Sequence, residues 1–155
     1  MQNSFPPGCF VCRKHRGLEI VPGGAVFENE LIYISHAQLM ASETTHYLGH
    51  LLVEPKRHVP ELAHLSMREA REIGAYTTLA AKAIQDICRA EHVYSFVIGD
   101  DVPHVHVHLI GRYPGAPREY WGAKVDEWPD APRGAAREIA QLAQELKLCL
   151  PPNRG

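Results

Sequence analysis

The sequence predicts an α+β domain: a mostly antiparallel five-stranded sheet with one long central helix and one C-terminal helix. Three observations carry that expectation. Five short apolar or alternating runs, each bounded by turn residues, read as strands. A capped segment beginning at Ser66 repeats apolar residues at three- and four-residue spacing. A second stripe of the same period closes the chain.

In order, residues 1–24 are punctuated by Pro6, Pro7, Gly8, Gly17, Pro22, Gly23 and Gly24, and are expected to be irregular. Residues 25–28 and 31–35 are two short strands joined at Asn29-Glu30. Residues 36–46 are polar and read as a loop. The run YLGHLLV, residues 47–53, reads as a buried strand stopped by Pro55. Ser66 offers an N-cap hydroxyl and Glu69 completes a capping box. Ala70, Ile73, Thr77, Ala80, Ile84 and Ile87 then form one apolar stripe, so the helix should run to about Glu91. Residues 93–98 (VYSFVI) and 105–110 are two more strands. Residues 134–148 repeat a helical stripe through Ile139, Leu142 and Leu146, and Pro151-Pro152 ends it.

The 155 residues suit one domain, with residues 1–24 as an irregular N-terminal segment carrying the C-x-x-C pair and 112–155 as a C-terminal tail and helix. A hydrophobic fraction of 45% and a charged fraction of 22% are those of an ordinary globular chain. With a net charge of −2 and no Lys/Arg cluster, nothing favours a nucleic-acid polymer or an anionic membrane. No apolar stretch approaches the roughly 20 residues that span a bilayer, and the N-terminus lacks a secretory pattern. A cytoplasmic location is therefore expected. Four cysteines make no disulfide scaffold, and Cys88 and Cys149 read as small apolar residues of helices.

Ten histidines are many for this length, and three stand in the run His104-Val105-His106-Val107-His108-Leu109-Ile110. Strand side chains alternate faces, so the imidazoles should share one face and Val105, Val107 and Leu109 the other. An apolar back argues against decoration of an exposed strand. Two chemistries suit such a row. Alternating histidines can hold an open catalytic metal. Alternatively, neutral imidazoles can serve as nucleophile and phosphate ligands near pH 7.

HVHVHLIGR, together with the upstream GHLLVEPKRH of residues 49–58, resembles the histidine-triad family. That family's signatures are H-φ-H-φ-H-φ-φ and G-H-x-L-V-x-P-K-x-H, and both occur here in the family's order with a helix between them. The N-terminal CFVC and a tail of the form RYPG…W…helix are similar to those of bacterial members. The resemblance implies a sheet completed by homodimerisation and an enzyme acting on small nucleotide substrates. These would be nucleotide phosphoramidates, dinucleoside polyphosphates or related nucleotidyl compounds. It makes His106 the nucleophile that forms a covalent nucleotidyl-imidazole at the α-phosphorus. His108 would bond a non-bridging phosphate oxygen, and His50 would line the same site and assist the leaving group.

Cys9-x-x-Cys12 alone leaves three readings open: a metal site, reduced thiols without metal, or a redox pair. The resemblance favours the first. Zinc-containing bacterial members pair such cysteines with the histidine of P-K-x-H and the first histidine of the run. The matching residues are Cys9, Cys12, His58 and His104, a set suited to structural Zn2+. A zinc-bound His104 would support His106 rather than bind phosphate. If residues 47–53 pair antiparallel with 104–110, His50 falls opposite the later histidines and His58 near His104.

The sequence departs from the family in two places. A Gly-Gln-Ser/Thr segment usually precedes the triad and contacts phosphate, whereas Gly99 is followed here by Asp100, Asp101 and Val102. A carboxylate 4 Å from a phosphate oxygen costs about 4 kcal/mol at an effective dielectric near 20. These aspartates are therefore expected to point away, to bind a cation, or to mark an unusual substrate. They also favour a second reading, a nucleotide-binding module with weak turnover. The acidic residue that often holds the ribose is missing, since position 37 is alanine, and Ser35, His36 or Gln38 would substitute. Arg112 is a candidate phosphate ligand. Arg118 could do the same, and Tyr120 or Trp121 could stack on a base, but Trp121 and Trp128 read mainly as packing residues of the tail or a dimer interface, and Lys56 and Arg57 as solvated flanks.

Overall fold

A computed structural model describes residues 5–152. Its element order is α1 (Phe10–His15), β1 (Ala25–Glu28), β2 (Ile32–His36), β3 (His46–Tyr47), β4 (His50–Pro55), α2 (Met67–Cys88), β5 (His92–Phe96), β6 (Val107–Arg112), β7 (Arg133–Gly134) and α3 (Ala136–Cys149). Five strands form one antiparallel sheet in the order β1-β2-β4-β6-β5, and β3 pairs with β7 in a two-stranded ribbon. The α+β architecture and the two long helices are as the sequence predicts.

Alternation along the strands decides the layers. Ile32, Ile34, Leu51, Val53, Val107 and Leu109 turn to one face and meet Ile73, Ala80, Ala83 and Ile84 of α2, with Ala143 and Leu146 of α3. Residues of the opposite parity form the other face. There α1 covers one end, and the tail after β6 covers the other, its Val125 and Ala131 packing with Tyr47 of β3 and Ile110 of β6. His108 of β6 lies on this second face.

Two glycines are required by this packing. Gly49, at φ +84, turns the chain between β3 and β4, so the expected single strand over residues 47–53 is broken after Tyr47 and extends to Pro55 instead. Gly111 sits where α2 crosses β6. A Cβ there would lie 2.6 Å from Ile84 Cγ2 and 3.0 Å from the Ala90 Cβ.

Three local expectations are corrected. Part of the Pro/Gly-rich N-terminal segment forms α1, because the Cys9 sulfur accepts the Cys12 N–H and caps a turn whose Val11 and Cys12 are buried. The helix α2 stops at Cys88 rather than near Glu91, since Arg89 takes the left-handed conformation at φ 57. The third strand edge also differs: ladder pairing of β6 begins at Val107, so His104 to His106 precede it. The capping box does form, and Arg57 adds a fork to it, its Nε and Nη2 donating to Glu69 at 2.8 and 2.7 Å. Arg57 thus ties the end of the first motif to α2 and is not merely a solvated flank. Residues 1–4 and 153–155, the ends of the expected N-terminal segment and tail, lie outside the described residues.

Candidate active site and metal centre

Register places the histidines. On β4, His50 pairs with Ile110 and Leu52 with His108, so His50 and His108 share the face away from α2. Their rings approach until His50 Nε2 and His108 Nδ1 are 2.9 Å apart. His106 stands one strand step before His108 on the same side, with ring centroids 4.8 Å apart. His106 and His108 are half-buried, whereas Val105, Val107 and Leu109 are buried behind them.

Hydrogen bonds assign the protons of several rings. His106 Nδ1 donates to the backbone carbonyl of His104 at 2.6 Å, so in the neutral ring Nε2 keeps its lone pair. His36 is fully buried: its Nδ1 donates to the Ala37 carbonyl and its Nε2 accepts the Gly49 N–H, both in the neutral form. Burial lowers His36 to about 4, consistent with that assignment. With both nitrogens engaged by backbone, His36 braces the Gly49 turn and has no nitrogen left for a sugar hydroxyl. Burial likewise pushes His108 to about 4, with neighbouring His106 adding to the effect, and holds His50 well below its ordinary value. Neither ring readily carries a charge where it stands.

The row of three histidines divides at its first member. His104 is fully buried and leaves the row for a cluster with Cys9, Cys12 and His58, whose ligand atoms all lie within 4.8 Å of one another. His104 Nε2 donates to the Pro55 carbonyl at 2.8 Å, which aims the Nδ1 lone pair at the two sulfurs, each 3.5 Å away. His58 Nδ1 is 3.4 Å from the Cys12 sulfur. A tetrahedral zinc with bonds of about 2.3 Å to sulfur and 2.0–2.1 Å to nitrogen separates these atoms by about 3.5 Å. The donor set and its spacing therefore fit such an ion. The carbonyl behind His104 is the kind of outer partner that orients metal-bound histidines. Without a cation, burial and the neighbouring Cys9 push the Cys12 thiol up to about 12.

Beneath this cluster lies a charge group that sequence reasoning missed. Glu54 is completely buried and accepts Lys14 Nζ at 2.6 Å and His15 Nε2 at 2.8 Å. The group clamps α1, and with it the C-x-x-C pair, to β4. Its signal was present in the acid that directly follows the apolar run Leu51 to Val53, but the partners lie 39 and 40 residues away. His46 and Glu43 were also missed, in the segment read as loop. His46 Nε2 is 2.9 Å from His50 Nδ1, and His46 Nδ1 is 3.2 Å from Glu43 Oε2.

Other expected residues lie apart. Arg112 is at the far end of β6, about 13 Å of strand beyond His108. It bonds Tyr94 Oη, pairs with Glu91 and stacks on Trp121 at 3.8 Å, so it is not brought to the histidines. Gly99, at φ +79, and Asp101 belong to the loop before the run, where Asp100 and Asp101 are exposed. Val102 packs on the Cys9, Val11 and Cys12 cluster. Trp128 packs on the tail cluster, whereas Trp121 is 40% exposed.

A model of the HIT domain matches residues 23–115. The chain belongs to the HIT family. Among relatives, it is 25% identical over 103 residues to the purine nucleoside phosphoramidase of Escherichia coli K12, covering 63% of this chain and 82% of that protein. It is 37% identical over 76 residues to the NitFhit fusion protein of Caenorhabditis elegans and 34% over 74 to the AP-4-A phosphorylase of Mycobacterium tuberculosis. Those stretches cover 43% of this chain in each case, but only 16% and 37% of the two proteins. The HIT fold is seen in a zinc-bound histidine-triad family protein of Mycobacterium smegmatis, with a TM-score of 0.66, 18% identity and coverage of 91% of this chain and 94% of that one. A histidine-triad nucleotide-binding protein of Sulfolobus tokodaii gives 0.69 at 20% identity, with 91% of each chain covered.

Proposed function

We propose that this HIT protein cleaves small nucleotidyl substrates, phosphoramidates or dinucleoside polyphosphates, at the α-phosphorus with His106 as nucleophile. The observation that carries the reading is the His106 Nδ1 bond to the His104 carbonyl, which leaves Nε2 as the attacking atom. Attack forms an Nε2–P bond as the bond to the leaving group breaks. Water or a second acceptor then cleaves the nucleotidyl-imidazole, dividing one displacement into two easier ones. His108 faces the same space, suited to a non-bridging oxygen, and His50 supports it from behind. Relatives named as a phosphoramidase and a phosphorylase support the substrate class.

Cys9, Cys12, His58 and His104 would hold a structural Zn2+, which when bound supplies rigidity rather than chemistry. Through His104 it would fix the carbonyl that orients His106. The expected homodimer and cytoplasmic setting belong to the same proposal.

The test is turnover of adenosine and guanosine phosphoramidates and dinucleoside polyphosphates by wild type and His106→Ala. Turnover by the wild type alone, with a covalent nucleotidyl adduct trapped on the intact protein, is expected. Nucleotide binding by both without turnover would replace the enzyme with the binding module that Asp100 and Asp101 favour.

A further inference from the structure

The contacts of His108 continue outward beyond the histidines that the motifs single out. His108 Nδ1 meets His50 Nε2 at 2.9 Å, His50 Nδ1 meets His46 Nε2 at 2.9 Å, and His46 Nδ1 meets Glu43 Oε2 at 3.2 Å. The His46 and His50 rings stack, with centroids 5.1 Å apart and planes 25° from parallel. His46 is held in place by the β3–β7 ribbon and by its neighbour Tyr47, which is fully buried with its hydroxyl donating to the Gly111 carbonyl at 2.6 Å.

A line of imidazoles joined end to end has two proton arrangements. With His46 neutral, Nδ1–H donates to Glu43, and every ring inward must also carry its proton on Nδ1. His108 then presents a bare Nε2 to the substrate space. With one more proton, His46 donates from both nitrogens, and His50 and His108 each move their proton to Nε2. His108 then presents an N–H while remaining neutral, and the only added charge lies on His46 beside the Glu43 carboxylate. A phosphate oxygen is bound by the second arrangement and repelled by the first.

We infer that Glu43 and His46 are positioning residues that set, through His50, which nitrogen of His108 carries the proton and so whether His108 donates to a substrate oxygen. The inference deepens the proposed nucleotidyl-transfer reading and rests on it for the identity of that oxygen. Burial that keeps charge off His50 and His108 agrees with it, because the proton's charge is then best placed at the outer end. The groups facing His46 are Glu43 on its own loop, His50 on β4, and His36 on β2, whose ring centroid is 6.3 Å away. Arg133 of β7 faces Glu43. Desolvation opposes ionisation of Glu43, but the Met40 N–H, His46 and Arg133 together hold its carboxyl below the usual range. Sequence reading had no access to this line, because residues 36–46 showed no periodicity and the link to the triad runs through the Gly49 turn.

The experiment is long-range 1H–15N correlation of the imidazoles in the full-length protein, uniformly 15N-labelled, across a pH series with inorganic phosphate present. Wild type, His46→Phe and Glu43→Gln are compared. In the wild type, His108 should pass from the Nδ1–H to the Nε2–H form as pH falls. His46→Phe should abolish the passage, and Glu43→Gln should move it about one pH unit lower, because an opposite charge at contact distance is removed. Glu43→Gln leaves the histidine stack intact, so it decides the matter even if His46→Phe fails to fold. The same His108 form at every pH in all three proteins would overturn the inference. Where the wild type turns over a phosphoramidate, His46→Phe should lower kcat by about 10- to 100-fold, with KM changed much less, the size of effect seen for outer partners that orient metal-bound histidines. An unchanged kcat would count against it. The tautomer measurement needs no turnover, so an inactive wild type with an intact passage would remove the enzyme reading and leave this inference standing.

Discussion

Among the described residues Glu54 is the charged side chain buried most completely, and its two partners decide whether that is tolerable. Removing one partner of a buried pair leaves an uncompensated charge, whereas apolar replacement of both is often neutral. Lys14→Met should therefore cost about 3–5 kcal/mol in urea unfolding. Lys14→Met combined with Glu54→Met should recover much of that loss. A cost below about 1 kcal/mol for the single variant would show that His15 alone satisfies Glu54. At the same scale, His106→Ala should abolish nucleotidyl-adduct formation while leaving the urea midpoint nearly unchanged, because His106 is half-buried and bonds a single carbonyl. The four-residue spacing of His46 and His50 would suit one face of a helix. Here the Gly49 turn makes the contact, and no helical period marks it.

At the scale of elements, the junction of α2 with the sheet is the tightest. Gly111→Ala puts a methyl against Ile84 and Ala90, and overpacking of that kind costs about 1–3 kcal/mol. The measurement is the denaturant midpoint of the folded variant. The N-terminus of α2 depends on pH through Glu69, whose carboxyl is pulled down to about 2, first by the Arg57 fork and then by the Ser66 backbone and hydroxyl. A depressed folded value means that this stabilisation is complete above the ordinary carboxylate value of 4.5 and disappears as pH falls toward 2. Glu69→Gln should flatten the fall of the urea midpoint across that window. A wild-type acid limb in the variant would show that Glu69 is not among the groups that unfold the protein in acid. The periodicity of α2 and its Ser66–Glu69 box were legible in the sequence because both are local. The end of α2 was not, because it depends on Arg89 adopting a left-handed cap that leads into β5.

For the whole molecule, the Cys9, Cys12, His58 and His104 cluster joins α1, the end of β4 and the approach to β6. A zinc ion there would link three segments distant in sequence. Metal analysis of the purified protein should find one equivalent. Chelation or Cys9→Ser should lower Tm by several degrees, with loss of His106 positioning as a secondary effect. Absence of metal together with unchanged Tm on chelation would return the cysteines to reduced thiols. Among the described residues β5 is an edge strand with no partner on its outer side, and it continues into Val97 and Ile98, which are 40% and 64% exposed. An unpaired edge beside exposed apolar residues is suited to a second copy. The 17.3 kDa chain should accordingly sediment as a dimer, and Ile98→Asp should shift it toward monomer.

By itself the sequence determined the fold class, the two helices, the apolar back of the histidine run and the family, because each follows from local periodicity or from contiguous motifs. It also placed Cys9, Cys12, His58 and His104 in one group, by resemblance. Tertiary structure alone decided that His104 leaves the row and that His36 is spent on backbone. It also decided that Arg112 stands away from the histidines, that Lys14 and His15 satisfy Glu54, and that His46 and Glu43 continue the line from His108. Each of these is a contact between segments whose meeting depends on strand register and on the Gly49 turn. No spacing along the chain encodes such a meeting.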